Sequence, residues 1–267
     1  MEITHDKEAL HTNKVYQTLQ YLEPADLRRL MKYLKSPYYN QSKTLISLCQ
    51  LFIDCLETKQ SGFDRELVWK QLFPGELYDD VNFRKYCSDL LKLVEGFMSH
   101  EVIAEDPERR NIHLLEYVVR RKMEPLYKSA LRATRDDEAS DIPFRSLDYF
   151  KNRYVIERLY YEMLDFVVRL NTRIILEEIS GYLDMFYWIE ILILHASALC
   201  QKRTGNFEYD LHFNDEIFAY LQKIDLDKYP ELAIYYYSLL TIYESNSDEH
   251  YFKLRNLLER YGPFMPQ

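Results

Sequence analysis

The stretch DLRRLMKYLKSPYYN, Asp26 to Asn40, decides the fold class. Leu27, Leu30, Met31 and Leu34 recur at the three-to-four spacing of one helical face, while Arg28, Lys32 and Lys35 fall on another. Pro37 then disfavours helical geometry at Ser36, so SPYYN ends the helix. Asn40 is placed to cap the next helix, which the pattern extends from Gln41 to Glu57.

The same alternation of amphipathic runs and stops continues along the chain. Stops fall at Ser61-Gly62, Phe73-Pro74-Gly75, Asp106-Pro107 and Glu124-Pro125. Another is DDEASDIP, Asp136 to Pro143, the most polar segment and an expected exposed loop. Strictly alternating β-branched runs are missing, so no sheet is expected. The reading is all-α: consecutive antiparallel helical hairpins forming a degenerate TPR-like helical solenoid, with an N-terminal helical region over 1–105 and a repeat-like region over 106–267, or one continuous domain.

Phe144 to Ser180 reads as one long or slightly broken helix, with Ile156, Leu159, Tyr160, Met163, Val167, Leu170 and Ile174 on its broad apolar face and Tyr154 and Tyr161 on another. Leu183 to Cys200 is the most apolar segment. Asp184, Glu190 and His195 interrupt it at positions costly in a bilayer, which favours a buried central helix over a membrane span. Pro230–Glu244 and Asp248–Tyr261 have the lengths of a repeat hairpin of about 34 residues but lack the small residues of its consensus.

Composition excludes several functions. Average usage would place about 19 glycines in such a chain; it has 6, and no glycine-rich phosphate loop is present. The serine turn G-x-S-x-G is also missing, and no cysteine carries a protease signature. Cys49, Cys55, Cys87 and Cys200 show neither zinc-finger spacing nor a disulfide framework, so reduced thiols are expected. The first residues, MEITHDKEALHTNK, contain no apolar signal core, which points to the cytoplasm.

Metal and acid–base chemistry find little footing. Of E-x-x-H pairs only Glu8–His11 fits, and His113–Glu116 runs in the opposite order on a polar face. His195 sits among leucines and is read as a core residue, not a base. The expectation is therefore no catalytic residue, no cofactor and no metal.

Charge singles out one region. Pro107–Arg135 carries eight basic and three acidic residues, a local +5 on a chain of net charge −9. At 100° per residue, Arg110, His113, Tyr117, Arg120 and Arg121 lie opposite Ile112, Leu115 and Val119, with Lys128, Arg132 and Arg135 on the following helix. Arg110, Tyr117, Arg120, Arg121, Lys128 and Arg132 are the candidate partner-binding residues. An ordinary solvated face, neutralised by Asp136, Asp137, Glu138 and Asp141, is the plainer reading.

The 24 tyrosines suit either a peptide-binding groove or helix packing, and in Tyr235-Tyr236-Tyr237 at least one ring must face solvent or a neighbouring helix. A helix-turn-helix over 64–98 is disfavoured by its connection, Phe73 to Val81, which exceeds the usual 3 to 4 residues or so. The acidic net charge also weighs against nucleic acid.

The strings DLRRLMKYLKSPYYN and LVWKQLFPGELYDDVNFRKYCSDLLKLVEGFM resemble the N-terminal part of a family of uncharacterised bacterial all-helical proteins, through SPYYN at Ser36–Asn40 and LFPG at Leu72–Gly75. That resemblance covers about the first hundred residues. It implies an all-helical bacterial cytoplasmic protein and carries no activity or site residue. Members of the family are often longer, so the ending PFMPQ reads as that of a shortened chain. The functional expectation is a non-enzymatic protein–protein interaction scaffold of helical-repeat type. Its alternatives are a nucleic-acid-binding regulator acting through 107–135 and an enzyme whose site is dispersed in sequence.

Overall fold

A computed structural model describes residues 12–58, 64–135, 143–164, 173–205, 207–209, 214–244 and 248–265. Regular structure in them is helical, and no strand occurs among the described residues. The chain forms two compact units, Met1–Pro107 and Glu108–Gln267.

The first unit contains α1 (Lys14–Leu19), α2 (Pro24–Lys35), α3 (Lys43–Thr58), α4 (Arg65–Leu72) and α5 (Asp80–Glu105). Asn13 caps α1 by accepting hydrogen bonds from the Val15 and Tyr16 amides at 3.0 and 3.3 Å. Helix α2 opens with Pro24 in its first turn and a reciprocal Glu23–Asp26 capping box. It buries Leu27, Leu30 and Leu34, and Met31 packs beside them.

Ser36 is extended at φ −73° and ψ 120°, as a residue before proline must be. Asn40 has a different task from the expected cap. Its buried amide donates to the Leu34 carbonyl at 2.9 Å and to the Ser42 carbonyl at 3.1 Å, while its side-chain oxygen accepts from the Ser42 amide at 2.9 Å. Ser42 caps α3 instead, its hydroxyl accepting from the Leu45 amide at 3.3 Å. Two caps thus share the turn: Asn40 satisfies the end of α2 and Ser42 the start of α3.

Helix α5 organises this unit, packing against α1, α2 and α3, while α4 packs against α3. Phe83, Cys87, Leu90, Val94 and Phe97 form its buried stripe. They meet Leu19, Leu30, Leu34, Leu48 and Phe52, all fully enclosed. Each such side chain contributes about 1.5–3 kcal/mol by leaving water. In LFPG, Gly75 adopts φ +92°, a left-handed turn that a side chain would strain.

The second unit contains α6 (Pro107–Arg120, its first residue at the boundary), α7 (Glu124–Arg135), α8 (Leu147–Met163), α9 (Arg173–Gly205), α10 (Asn214–Leu221), α11 (Pro230–Tyr243) and α12 (Asp248–Tyr261). Helix α9 packs against α8 and α11, and α11 against α12. Two cores result. Ile112, Leu115, Val118, Val119, Ala130 and Ile156 join α6, α7 and α8. Phe150, Ile189, Leu192, Ile217, Leu221, Leu232, Tyr236 and Leu239 join α8 through α11.

The expected helix from Phe144 to Ser180 divides. Ser146 caps α8 at its start, and Leu164 ends it in an extended conformation with φ −65° and ψ 144°. No glycine or proline marks this stop in the sequence, and the apolar periodicity runs through it. Val167 and Leu170 lie outside the described residues, as does the side chain of Ile174.

Helix α9 is buried on one side only. Ile189, Leu192, His195 and Ala198 are enclosed, whereas Leu176, Leu183, Tyr187 and Leu194 are exposed. Over Leu176–Gly205 it is long and apolar enough to cross a membrane, and 22% of its most apolar window is buried. The sequence predicts a buried central helix; among the described residues, the helix is enclosed on the side facing α8 and α11 and exposed on the other. In the tyrosine triplet, Tyr236 is enclosed and Tyr237 lies over His250 of α12, with ring centroids 6.2 Å apart.

Candidate functional site

Local packing turns the basic residues of α6 outward. Pro107 occupies the first turn, where a missing amide hydrogen costs nothing, and Glu108 complements the helix dipole there. Ile112, Leu115, Val118 and Val119 bury the opposite side. Once that stripe is fixed, Arg110, Leu114, Tyr117 and Arg121 fall in one outward row at spacings of four, three and four. Arg120 lies beside it and is also exposed.

The end of α6 is a Schellman turn. The Met123 amide donates to the Val118 carbonyl and the Lys122 amide to the Val119 carbonyl, each at 3.0 Å. Lys122 occupies the left-handed position with φ 53°, where glycine is usual. Its ammonium donates to the Glu162 carbonyl of α8 at 3.2 Å. Asn111 donates to the Ala133 carbonyl at 3.1 Å and joins α6 to α7.

On α7, Ala130 and Thr134 are enclosed, while Leu126, Lys128 and Arg132 are exposed. The Arg121 guanidinium lies 5.5 Å from the Tyr117 ring centroid, a cation–π contact at the surface. His113 and Glu116 satisfy one another at 3.1 Å. Among the described residues, no ion pair engages Arg110, Arg120, Arg121, Lys128 or Arg132. Asp136, Asp137, Glu138, Asp141 and the Arg135 side chain lie outside the described residues.

All six candidate residues therefore point outward, five on α6 and α7 and Arg121 in the turn that follows α6. Leu114 and Leu126 add apolar area that charge alone did not signal, being 47% exposed each. The arrangement can bind an extended or helical anionic segment, pairing arginine with carboxylate or phosphate and apolar contact with Leu114 and Tyr117.

A second feature of the unit is a cleft of about 520 Å³ reached from α8, α9, α10 and α11. Phe150, Tyr182, Trp188, Tyr220 and Tyr229 line it together with Glu178, Asp184, Glu231 and Arg145. Trp188 and Tyr220 stack with centroids 4.7 Å apart. Glu231, 7% exposed in the first turn of α11, accepts a hydrogen bond from the Arg145 amide at 2.7 Å. The Arg145 guanidinium lies over the neighbouring Tyr149 ring, 4.7 Å from its centroid. Burial pushes the Tyr149 phenol up, with the Glu231 carboxylate adding to the shift and Arg145 opposing it.

Beneath the cleft, Arg153 and Glu157 form an enclosed ion pair at 3.1 Å, and the Arg153 guanidinium sits 5.6 Å from the Tyr182 ring centroid. Sequence spacing could not reveal this site, because its lining runs from position 145 to position 232. His195 lies elsewhere, 2% exposed in the core of α9. The start of α5 is committed locally: the Asp79 carboxylate accepts from the Asn82 amide at 3.0 Å and Arg84 pairs with Asp80 at 2.8 Å.

Comparison of the chain with protein-family models, with curated proteins and with solved structures found no match.

Proposed function

We propose that this protein is a non-enzymatic interaction scaffold that docks an acidic segment of another protein on the outer face of α6 and α7. One observation carries the reading: Arg110, Arg120, Arg121, Lys128 and Arg132 are exposed beside Leu114 and Tyr117, without ion pairs among the described residues. Exposed arginines are the residues best suited to bidentate carboxylate recognition, and the apolar pair between them supplies contact area. A solvated face needs charge alone, and would not require Leu114 and Tyr117 in the same row.

In this reading the layered order α8, α9, α11, α12 is a degenerate TPR-like solenoid, with the 1–105 region as a separate helical module. The resemblance at SPYYN and LFPG supports, within this reading, a bacterial cytoplasmic protein that works away from membranes. The test uses the full chain and a labelled 15-residue peptide rich in Asp, Glu and Leu. Binding at low salt that is lost in the Arg110→Glu, Arg120→Glu, Arg132→Glu variant supports the proposal. Absence of peptide binding, or equal binding by that variant, refutes it. Preferential binding of a DNA or RNA oligonucleotide, with affinity falling steeply with salt, replaces it with the regulator reading.

A further inference from the structure

We propose that the aromatic cleft between α8, α9, α10 and α11 is a binding site for an organic cation bearing a guanidinium or alkylammonium group, with Glu231 as its anchor. Size admits such a guest: about 520 Å³ lies within the range of small-molecule sites. The charge balance selects its sign. Among the described residues, Glu178, Asp184 and Glu231 line the cleft against one cation, Arg145.

Glu231 is the decisive residue, because it is 93% removed from solvent yet forms no ion pair with a described residue. The Arg145 amide is its hydrogen-bond partner among the described residues, through one carboxylate oxygen. Its position in the first turn of α11 lets the helix dipole favour a negative charge there. The carboxylate keeps acceptor capacity beyond the Arg145 amide, and an ammonium or guanidinium entering the cleft supplies a charged donor to it.

The walls distinguish an organic cation from a metal ion. Tyr182, Trp188 and Tyr220 offer aromatic surface, which attracts weakly hydrated organic cations through the ring quadrupole. Their oxygen and nitrogen atoms do not form a ligand cage: no group of three or more metal-binding side chains occurs among the described residues. Glu178 and Asp184 are exposed and stand at the mouth, where they attract a cation and hold a second positive group on a longer guest.

Isothermal titration of the full chain with agmatine, which carries both a guanidinium and an ammonium, tests the site. A capped Gly-Arg-Gly peptide is the parallel probe and separates a free amine from a basic side chain of a partner. Binding of either probe, weakened about thirtyfold or more in Glu231→Gln, is the expected result. Gln at this position retains an oxygen to accept the Arg145 amide, and an unchanged melting temperature establishes that the fold is kept. Asp184→Asn, on the exposed rim, weakens binding severalfold without touching the interior. No heat from either probe up to about 10 mM, or equal affinity in Glu231→Gln, overturns the assignment.

Discussion

The Arg153–Glu157 pair offers the sharpest test of how the second unit holds together. Both residues lie on α8, 6% and 3% exposed, with guanidinium and carboxylate 3.1 Å apart. At an effective dielectric of about 20 their attraction is about 5 kcal/mol, against a desolvation cost of similar size. The pair therefore contributes little in total, while each half alone is expensive. Glu157→Gln keeps the shape and removes the charge that faces the guanidinium at 3.1 Å, and should cost about 3–5 kcal/mol. Arg153→Met with Glu157→Leu removes both charges and should cost far less, or even stabilise. Urea unfolding in a Trp69→Phe background reads this unit alone through Trp188, because each unit holds one tryptophan. A loss below about 1 kcal/mol for Glu157→Gln would place the pair with ordinary surface bridges and refute the reasoning. So would a double variant as unstable as the single one.

Three further outcomes follow from particular residues. Lys122→Gly removes a left-handed lysine from the Schellman turn and should stabilise by about 1 kcal/mol, raising the melting temperature by about 2–4 °C; no change or a loss would mean that its bond to the Glu162 carbonyl outweighs the strain. Burial pushes the Cys49 thiol from 9.0 up to about 12 and the Cys55 thiol up to about 11. Raised folded values mean that this stability is intact below pH 9.0 and declines as pH rises through the window to the folded values, so the stability lost between neutral and alkaline pH, read by urea unfolding, should be smaller in Cys49→Ala than in the parent chain. Thiol titration with a disulfide reagent at neutral pH should modify Cys200 quickly and the enclosed Cys49, Cys55 and Cys87 only on unfolding; rapid reaction of more than one thiol would show that the first unit opens readily.

Local rules explain which parts of the fold could be read in advance. The stripe Leu27–Leu30–Leu34 and the stop at Ser36 depend on neighbours within a few residues, and both are realised. The cap of α3 was misplaced because Asn40 and Ser42 are both competent, and only the path of the chain from Leu34 decides which reaches the helix. The end of α8 at Leu164 lacks any proline or glycine, so no local residue announced it. Its buried stripe also contains Arg153 and Glu157, which a hydrophobic pattern counts as surface although packing encloses them.

The two candidate sites differ in the same respect. Arg110, Tyr117 and Arg121 are turns of one helix, so a rotation of 100° per residue places them together before any tertiary structure is known. Glu231 belongs to the opposite case. Its neighbours Arg145, Tyr182 and Trp188 come from two other segments, and the carboxylate is distinctive only because it is buried without an ion pair among the described residues. Sequence marks a surface acid and an enclosed one with the same letter. The burial that makes Glu231 a candidate anchor arises at the packing of α11 against α9, and it is this enclosure that distinguishes it from the exposed Glu178 at the rim.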